Sequence, residues 1–172
     1  MTWTGTEGSK VFVQWMAAMM GGGGASNNKM PSSYTGLTVG TDTIKAALYG
    51  NTGTPDANAT YDKAGYNATS SQWVTANEKY TTNWAQGGIA LTGMTSGVSS
   101  NVYTFDAADT PSSGAVTLSS VYGCLVYDDS IGATNTVADQ AVCFNYFGGA
   151  QSVTSGTFTI VWNTSGIFTI TV

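Results

Sequence analysis

The stretch GTFTIVWNTSGIFTITV, residues 156–172, alternates apolar and hydroxyl side chains with a period of two. That spacing belongs to half-buried strands, which show alternate residues to opposite faces. Phe158, Ile160 and Trp162 fall on one side, and Thr157, Thr159 and Val161 on the other. After Asn163, the set Phe168, Ile170 and Val172 alternates with Ile167, Thr169 and Thr171. The segment predicts strands at 157–162 and 167–172. A three-residue loop, Thr164, Ser165 and Gly166, sets Phe158, Ile160 and Trp162 opposite Val172, Ile170 and Phe168, with Gly166 in the left-handed position of a bulge turn. A four-residue loop would place threonines opposite Phe158 and Ile160. The three-residue register buries more apolar area and is the one expected. On this reading Phe158, Ile160, Trp162, Phe168 and Ile170 form a core hairpin.

The same texture extends back to Asp42. Runs rich in Val, Ile, Thr and aromatics, separated by Gly, Asn, Asp and Ser clusters, predict strands at 43–49, 88–92, 102–105, 115–127 and 140–147. Seven short strands with little helix predict an all-β body over residues 41–172, an antiparallel β-sandwich or jelly roll, with under about a fifth of the chain helical. The exception is SSQWVTANEKY, residues 70–80, where Ser70 or Ser71 as N-cap predicts a helix.

Residues 1–40 read differently, as an arm. VFVQWMAAMM, residues 11–20, spaces Val11, Trp15 and Met19, and likewise Phe12, Met16 and Met20, at helical intervals. A short helix is expected there, ending at Gly21–Gly24, where four glycines cost too much backbone entropy to continue it. Trp3, Phe12, Trp15, Met16, Met19 and Met20 would then make an apolar patch in need of a cover, the mark of an interaction surface. The plainer alternative is a helix packed on the core of the body. This apolar stretch is about half the roughly 20 residues of a spanning helix, so no membrane span is expected. Glu7 and a single lysine precede it and no small-residue cleavage site follows, so no signal peptide is expected either.

Composition narrows the chemistry. The 172 residues carry a net charge of −5, with only 9% charged, five lysines, no arginine and no histidine. The 27 threonines and 17 serines supply small hydroxyls throughout. Without histidine there is no Ser-His-Asp triad, no Cys-His pair and no imidazole metal ligand. Without arginine, and with five scattered lysines, there is little footprint for nucleic acid. Asp128 with Asp129, and Asp106 with Asp109, are the only acid pairs of note; their positions beside strand ends suit turns better than catalysis or a calcium site. Trp73, Tyr80 and Trp84 could stack sugar rings, although half-buried core aromatics are commoner. The glycine run at 21–24 lacks the Gly-Lys-Ser/Thr ending of a phosphate loop. No cofactor and no catalytic or metal-binding residue is expected, and the chain reads as non-enzymatic. Cys124 and Cys143 fall directly opposite one another if Tyr127 pairs with Gln140, and could then be a disulfide or two buried thiols.

Five phrases, in order, carry a resemblance: DTIKAALYGNTGTPD (42–56), GGIALTG (87–93), VYTFDAADT (102–110), VYGCLVYDDSIGAT (121–134) and the terminal GTFTIVWNTSGIFTITV (156–172). Together they resemble a family of small virion structural proteins of tailed bacteriophages, the Tyr-Asp-Asp segment and the terminal pair of strands being the most specific. The resemblance spans residues 42–172 and brings no catalytic residues. It implies a component of the phage particle, on the head surface, neck or tail. The first expectation is a capsid decoration, or cement, protein. Its partners would be the major capsid protein and further copies of itself, such as a trimer, with no role for nucleic acid or membrane. Neck or tail component and carbohydrate-binding head fibre, with Trp73 and Trp84 as stacking residues, are the alternatives.

Overall fold

The computed structural model describes residues 9–12, 39–53, 55–56, 65–68, 72–131 and 138–171. These residues are all-β. The strands are β1 (Lys10–Val11), β2 (Ile44–Tyr49), β3 (Ile89–Ala90), β4 (Thr95–Ser99), β5 (Val102–Asp106), β6 (Thr110–Pro111), β7 (Val116–Asp128), β8 (Gln140–Gly156), β9 (Thr159–Ile160) and β10 (Phe168–Thr171). They form three antiparallel sheets, ordered β1-β8-β7-β2-β3, β10-β5-β4 and β6-β9. One apolar core draws on all three, from Ile44 and Leu48 on β2 to Phe105 on β5, Ile160 on β9 and Phe168 on β10.

The long pair β7–β8 is the spine. Along its inner half the residues Cys124 to Asp128 and Gln140 to Phe144 are buried in succession, because β2 and β1 flank them. Gly123 lies where the ring of Phe144 crosses the sheet; a Cβ there would clash with that ring and with the Asn145 carbonyl. Gly88, with φ of +83°, lets β3 approach the Ala46 carbonyl on β2 more closely than any side chain would allow.

Three expectations from the sequence need correction. The terminal segments do not pair with each other. The predicted turn forms, with Gly166 N–H donating to Asn163 O at 2.7 Å and Gly166 at φ +100°, but it leads the chain from one sheet into another. β9 pairs with β6, Ile160 opposite Thr110, and β10 pairs with β5, Phe168 opposite Phe105. The backbone donors are taken accordingly: Ile167 N–H by Phe105 O, and Trp162 N–H by Asp109 Oδ1. Phe158, Ile160, Trp162 and Phe168 are buried and Ile170 half-buried, so the apolar set serves the common core from two sheets.

The helix expected at 70–80 is, in its described part, a single 3-10 turn, Thr75–Asn77. An α-helix would need the Trp73 carbonyl to accept from Asn77 N–H. That carbonyl instead accepts from Tyr49 Oη–H and Asn67 N–H, and Asn77 N–H turns to Val74 O. Trp73 is held in place by its indole, stacked on Phe144 at 5.0 Å and edge-on to Tyr49 at 5.1 Å. Burial of one tryptophan outweighs a marginal helix propensity.

The helix expected from Val11 does not start there. Lys10 and Val11 are strand, opposite Phe144 and Cys143, and Phe12 N–H donates to Val142 O at 3.1 Å. Residues 10–12 therefore belong to the sheet of the body, across the boundary expected at residue 40. The remainder of that predicted helix lies outside the described residues.

Candidate functional site

Phe12 is not an interaction residue: it is 1% exposed, its ring edge-on to Trp73 at 6.2 Å. It pins the arm to the body. Trp3, Trp15, Met16, Met19 and Met20, the other members of the expected patch, lie outside the described residues.

The cysteines are not directly opposite. Tyr127 pairs with Ala141, and a bulge then shifts the register, so Val126 faces Cys143 and Cys124 faces Asn145. The thiols are diagonal neighbours on one face, both free and buried. Burial pushes the Cys143 thiol up to about 12, and burial, then the neighbouring Cys143, holds the Cys124 thiol well above its ordinary value. Neither is a usable nucleophile near neutral pH.

The acids serve the fold. Asp128 is fully buried, and its Oδ1 accepts from Ser130 N–H at 2.9 Å, closing the turn after β7. Asp129 pairs with Lys45 at 2.7 Å. Asp106 Oδ1 accepts from Ala107 N–H, and Asp109 Oδ1 holds Trp162 N–H. Asp139 joins the first group from across β7–β8, at φ +53°. Its carboxyl is raised to about 6 by burial, then by Asp129, with Lys45 opposing and Asp128 adding to the rise. Among the described residues, no three or more of Cys, Asp and Glu gather to hold a metal ion.

One carboxylate escaped the sequence reading. Glu78 is only 7% exposed, its Oε2 accepting from Tyr66 Oη–H and its Oε1 from Gly87 N–H, both at 2.8 Å. Tyr127 Oη–H donates to Gly87 O at 2.6 Å, and the Tyr66 and Tyr127 rings stack at 4.6 Å. Burial raises the Glu78 carboxyl above its ordinary value. The network ties residues 65–68, the 78–88 segment and β7 together. NEKY in sequence shows only a glutamate beside a tyrosine; nothing local marks it as buried.

Trp73 and Trp84 are 2% and 0% exposed, so neither offers a face to a sugar. Tyr80, at 51%, is exposed but without them forms no platform.

The open surface is of another kind. All five residues of β4, Thr95 to Ser99, are exposed. On the outer half of the spine Thr117, Ser119, Ser120, Gln151, Ser152, Thr154 and Ser155 are exposed too. Neither strand segment carries a charge, and the described lysines, Lys10, Lys45 and Lys79, are all partly buried. Such a surface offers hydroxyls, amides and backbone edges, and no electrostatic attraction. Comparison of the chain with protein-family models, with curated proteins and with solved structures finds no match.

Proposed function

We propose that this chain is a non-enzymatic structural subunit of a tailed-bacteriophage particle, a decoration protein on the outer head shell. The observation that carries the reading is the division of labour among its polar groups. Asp106, Asp109, Asp128, Asp129 and Glu78 are each engaged in turns, an ion pair or a buried network, while the exposed strands present uncharged Thr, Ser and Gln. A lattice subunit bound through many shallow, uncharged contacts needs such a surface, and the phrases at 42–56, 121–134 and 156–172 resemble proteins of that class.

The arm fits the same role. Phe12 and Val39 both belong to the body, Phe12 in its core and Val39 packed against it. The stretch between them carries Trp15, Met16, Met19 and Met20, the side chains proposed to grip the major capsid protein or a neighbouring copy, as in a trimer. Contact through such residues resists salt, because screening weakens exposed charge pairs and leaves apolar burial intact. The head-fibre alternative loses its stacking residues with the burial of Trp73 and Trp84.

The test is quantitative peptide mass spectrometry of purified particles. Copies on the scale of the capsid lattice support decoration; a handful of copies per particle, or none, overturns it. In a shell-binding assay, replacing Trp15, Met16, Met19 and Met20 together with serine should leave the unfolding midpoint unchanged and abolish binding. A variant that binds shells as well as the parent defeats the proposed grip.

A further inference from the structure

β8 and β9 belong to different sheets, and an open groove of about 650 Å³ is lined by residues of both. Tyr146, Phe147 and Gln151 line it from β8, Thr157 and Thr159 from the β9 side, and the buried Phe158 joins them. Sites for small molecules ordinarily enclose about 300–1,000 Å³, so the groove is of that size.

An excursion of β8 builds one wall. Tyr146 pairs with Gly123 and Gln151 with Val121, so Phe147, Gly148, Gly149 and Ala150 stand against Tyr122 alone. Gly148, at φ +78°, takes the left-handed backbone that this detour requires. Bulges of this kind re-aim side chains and are common beside binding sites. Gln151 is exposed, and its Nε2 donates to Phe147 O and Gly149 O, both at 3.4 Å, bonds long enough to be exchanged for a ligand hydroxyl. The opposite wall is held firmly. Phe158 N–H donates to Ser112 Oγ at 3.1 Å and Ser112 N–H to Phe158 O at 2.7 Å, while Thr159 pairs with Pro111. With Phe158 turned into the core, Thr157 and Thr159 fall on the other face of the strand, where both are exposed.

We propose that this groove is a binding site for neutral oligosaccharides, with Phe147 as the stacking face and Gln151, Thr157 and Thr159 as the hydrogen-bonding groups. The lining residues include no Asp, Glu or Lys, so a charged ligand finds no counter-charge there. A wholly apolar ligand would cover the amide and the hydroxyls without pairing them, which is costly. A sugar answers both kinds of wall. Its hydroxyls exchange hydrogen bonds with Gln151 and the threonines, and its slightly positive C–H face lies on the slightly negative face of the half-buried Phe147 ring. Trp73 and Trp84, the stacking residues that the sequence offers, take no part, being buried elsewhere. The assignment does not rest on the particle role, and it leaves Trp15 to Met20 for a protein partner.

Titration of the full chain, followed by the NMR shifts of its backbone amides, tests the site. The probes are neutral trisaccharides of glucose, galactose and N-acetylglucosamine, with a sialylated trisaccharide as the acidic arm. At least one neutral sugar should shift the amides of residues 146–161 saturably while leaving those of β2 in place. Gln151→Ala, at an exposed position, should weaken that binding by about tenfold, and Phe147→Ala by about tenfold or more. Should Phe147→Ala lower the unfolding midpoint, Gln151→Ala alone decides. No shift with any neutral sugar up to about 10 mM overturns the site. Tighter binding of the sialylated sugar, or affinity unchanged by Gln151→Ala, overturns it equally.

Discussion

The two halves of the β7–β8 pair are the same strands in different company. The inner half, Cys124 to Asp128 against Gln140 to Phe144, is buried residue after residue. The outer half, Val116 to Val121 against Gln151 to Gly156, buries Val116, Leu118 and Val121 and exposes the hydroxyl residues between them. Three of the four register shifts of the pair fall at or next to the outer half, between Val116 and Gly123. Where sheet neighbours and aromatic rings cover both faces, a slip would drive apolar side chains into water, and the register breaks once, at the bulge between Val126 and Tyr127. Where one face meets solvent, irregular pairing costs little and the strand twists freely.

Substitutions can break that contrast. Phe144→Ala removes a fully buried ring that stacks on Trp73 and covers Gly123, and should cost about 3–5 kcal/mol in denaturant unfolding. A loss under about 1 kcal/mol would mean the inner half is not close-packed. Gly123→Ala puts a methyl where Phe144 and Asn145 already sit, and should cost about 1–3 kcal/mol through strain rather than lost contact. Combined with Phe144→Ala its cost should shrink, since the ring it strikes is gone.

A pH effect sharpens the comparison at the inner end, where the charges of Asp129 and Asp128 act on Asp139. Asp139, raised to about 6 from 3.8, holds its proton more tightly folded than unfolded. Its stabilising contribution is complete below the unfolded value and is lost as pH rises through about 6. Wild type should therefore give up part of its thermal stability between about pH 4 and pH 6, and Asp139→Asn should flatten the change. An identical pH profile for the two would refute the assignment. The smallest effect belongs to the outer half: Ser119→Ala, at an exposed position, should shift stability by no more than about 0.5 kcal/mol.

How far the sequence could be read follows the same division. β2, β5 and β7 sit near their expected positions because each is dense in β-branched and aromatic residues and ends at Gly, Asn or Asp. The turn at Asn163 to Gly166 was legible too, being local chemistry. Its consequence was not. Whether the strands on either side pair with each other or with β5 and β6 depends on segments about 50 to 65 positions away, whose carbonyls and carboxylates compete for the same donors. Trp73 shows the same limit: Ser70 or Ser71 ahead of it reads as a helix cap, and the rings of Phe144, Tyr49 and Phe12 decided otherwise. Glu78 was invisible as a buried group because its partners, Tyr66 and Gly87, identify themselves only once the chain is folded.

The register of β7 against β8 has a consequence for how the spine is held. With Val126 opposite Cys143 and Cys124 opposite Asn145, the two cysteines are never a directly opposed pair, and both are free thiols. A spine ordered this way relies on packing and backbone pairing, not on an oxidant, for its register. Only a two-residue slip of β8 against β7 would set the two cysteines directly opposite one another, and would bind the folding of the spine to the oxidant at hand.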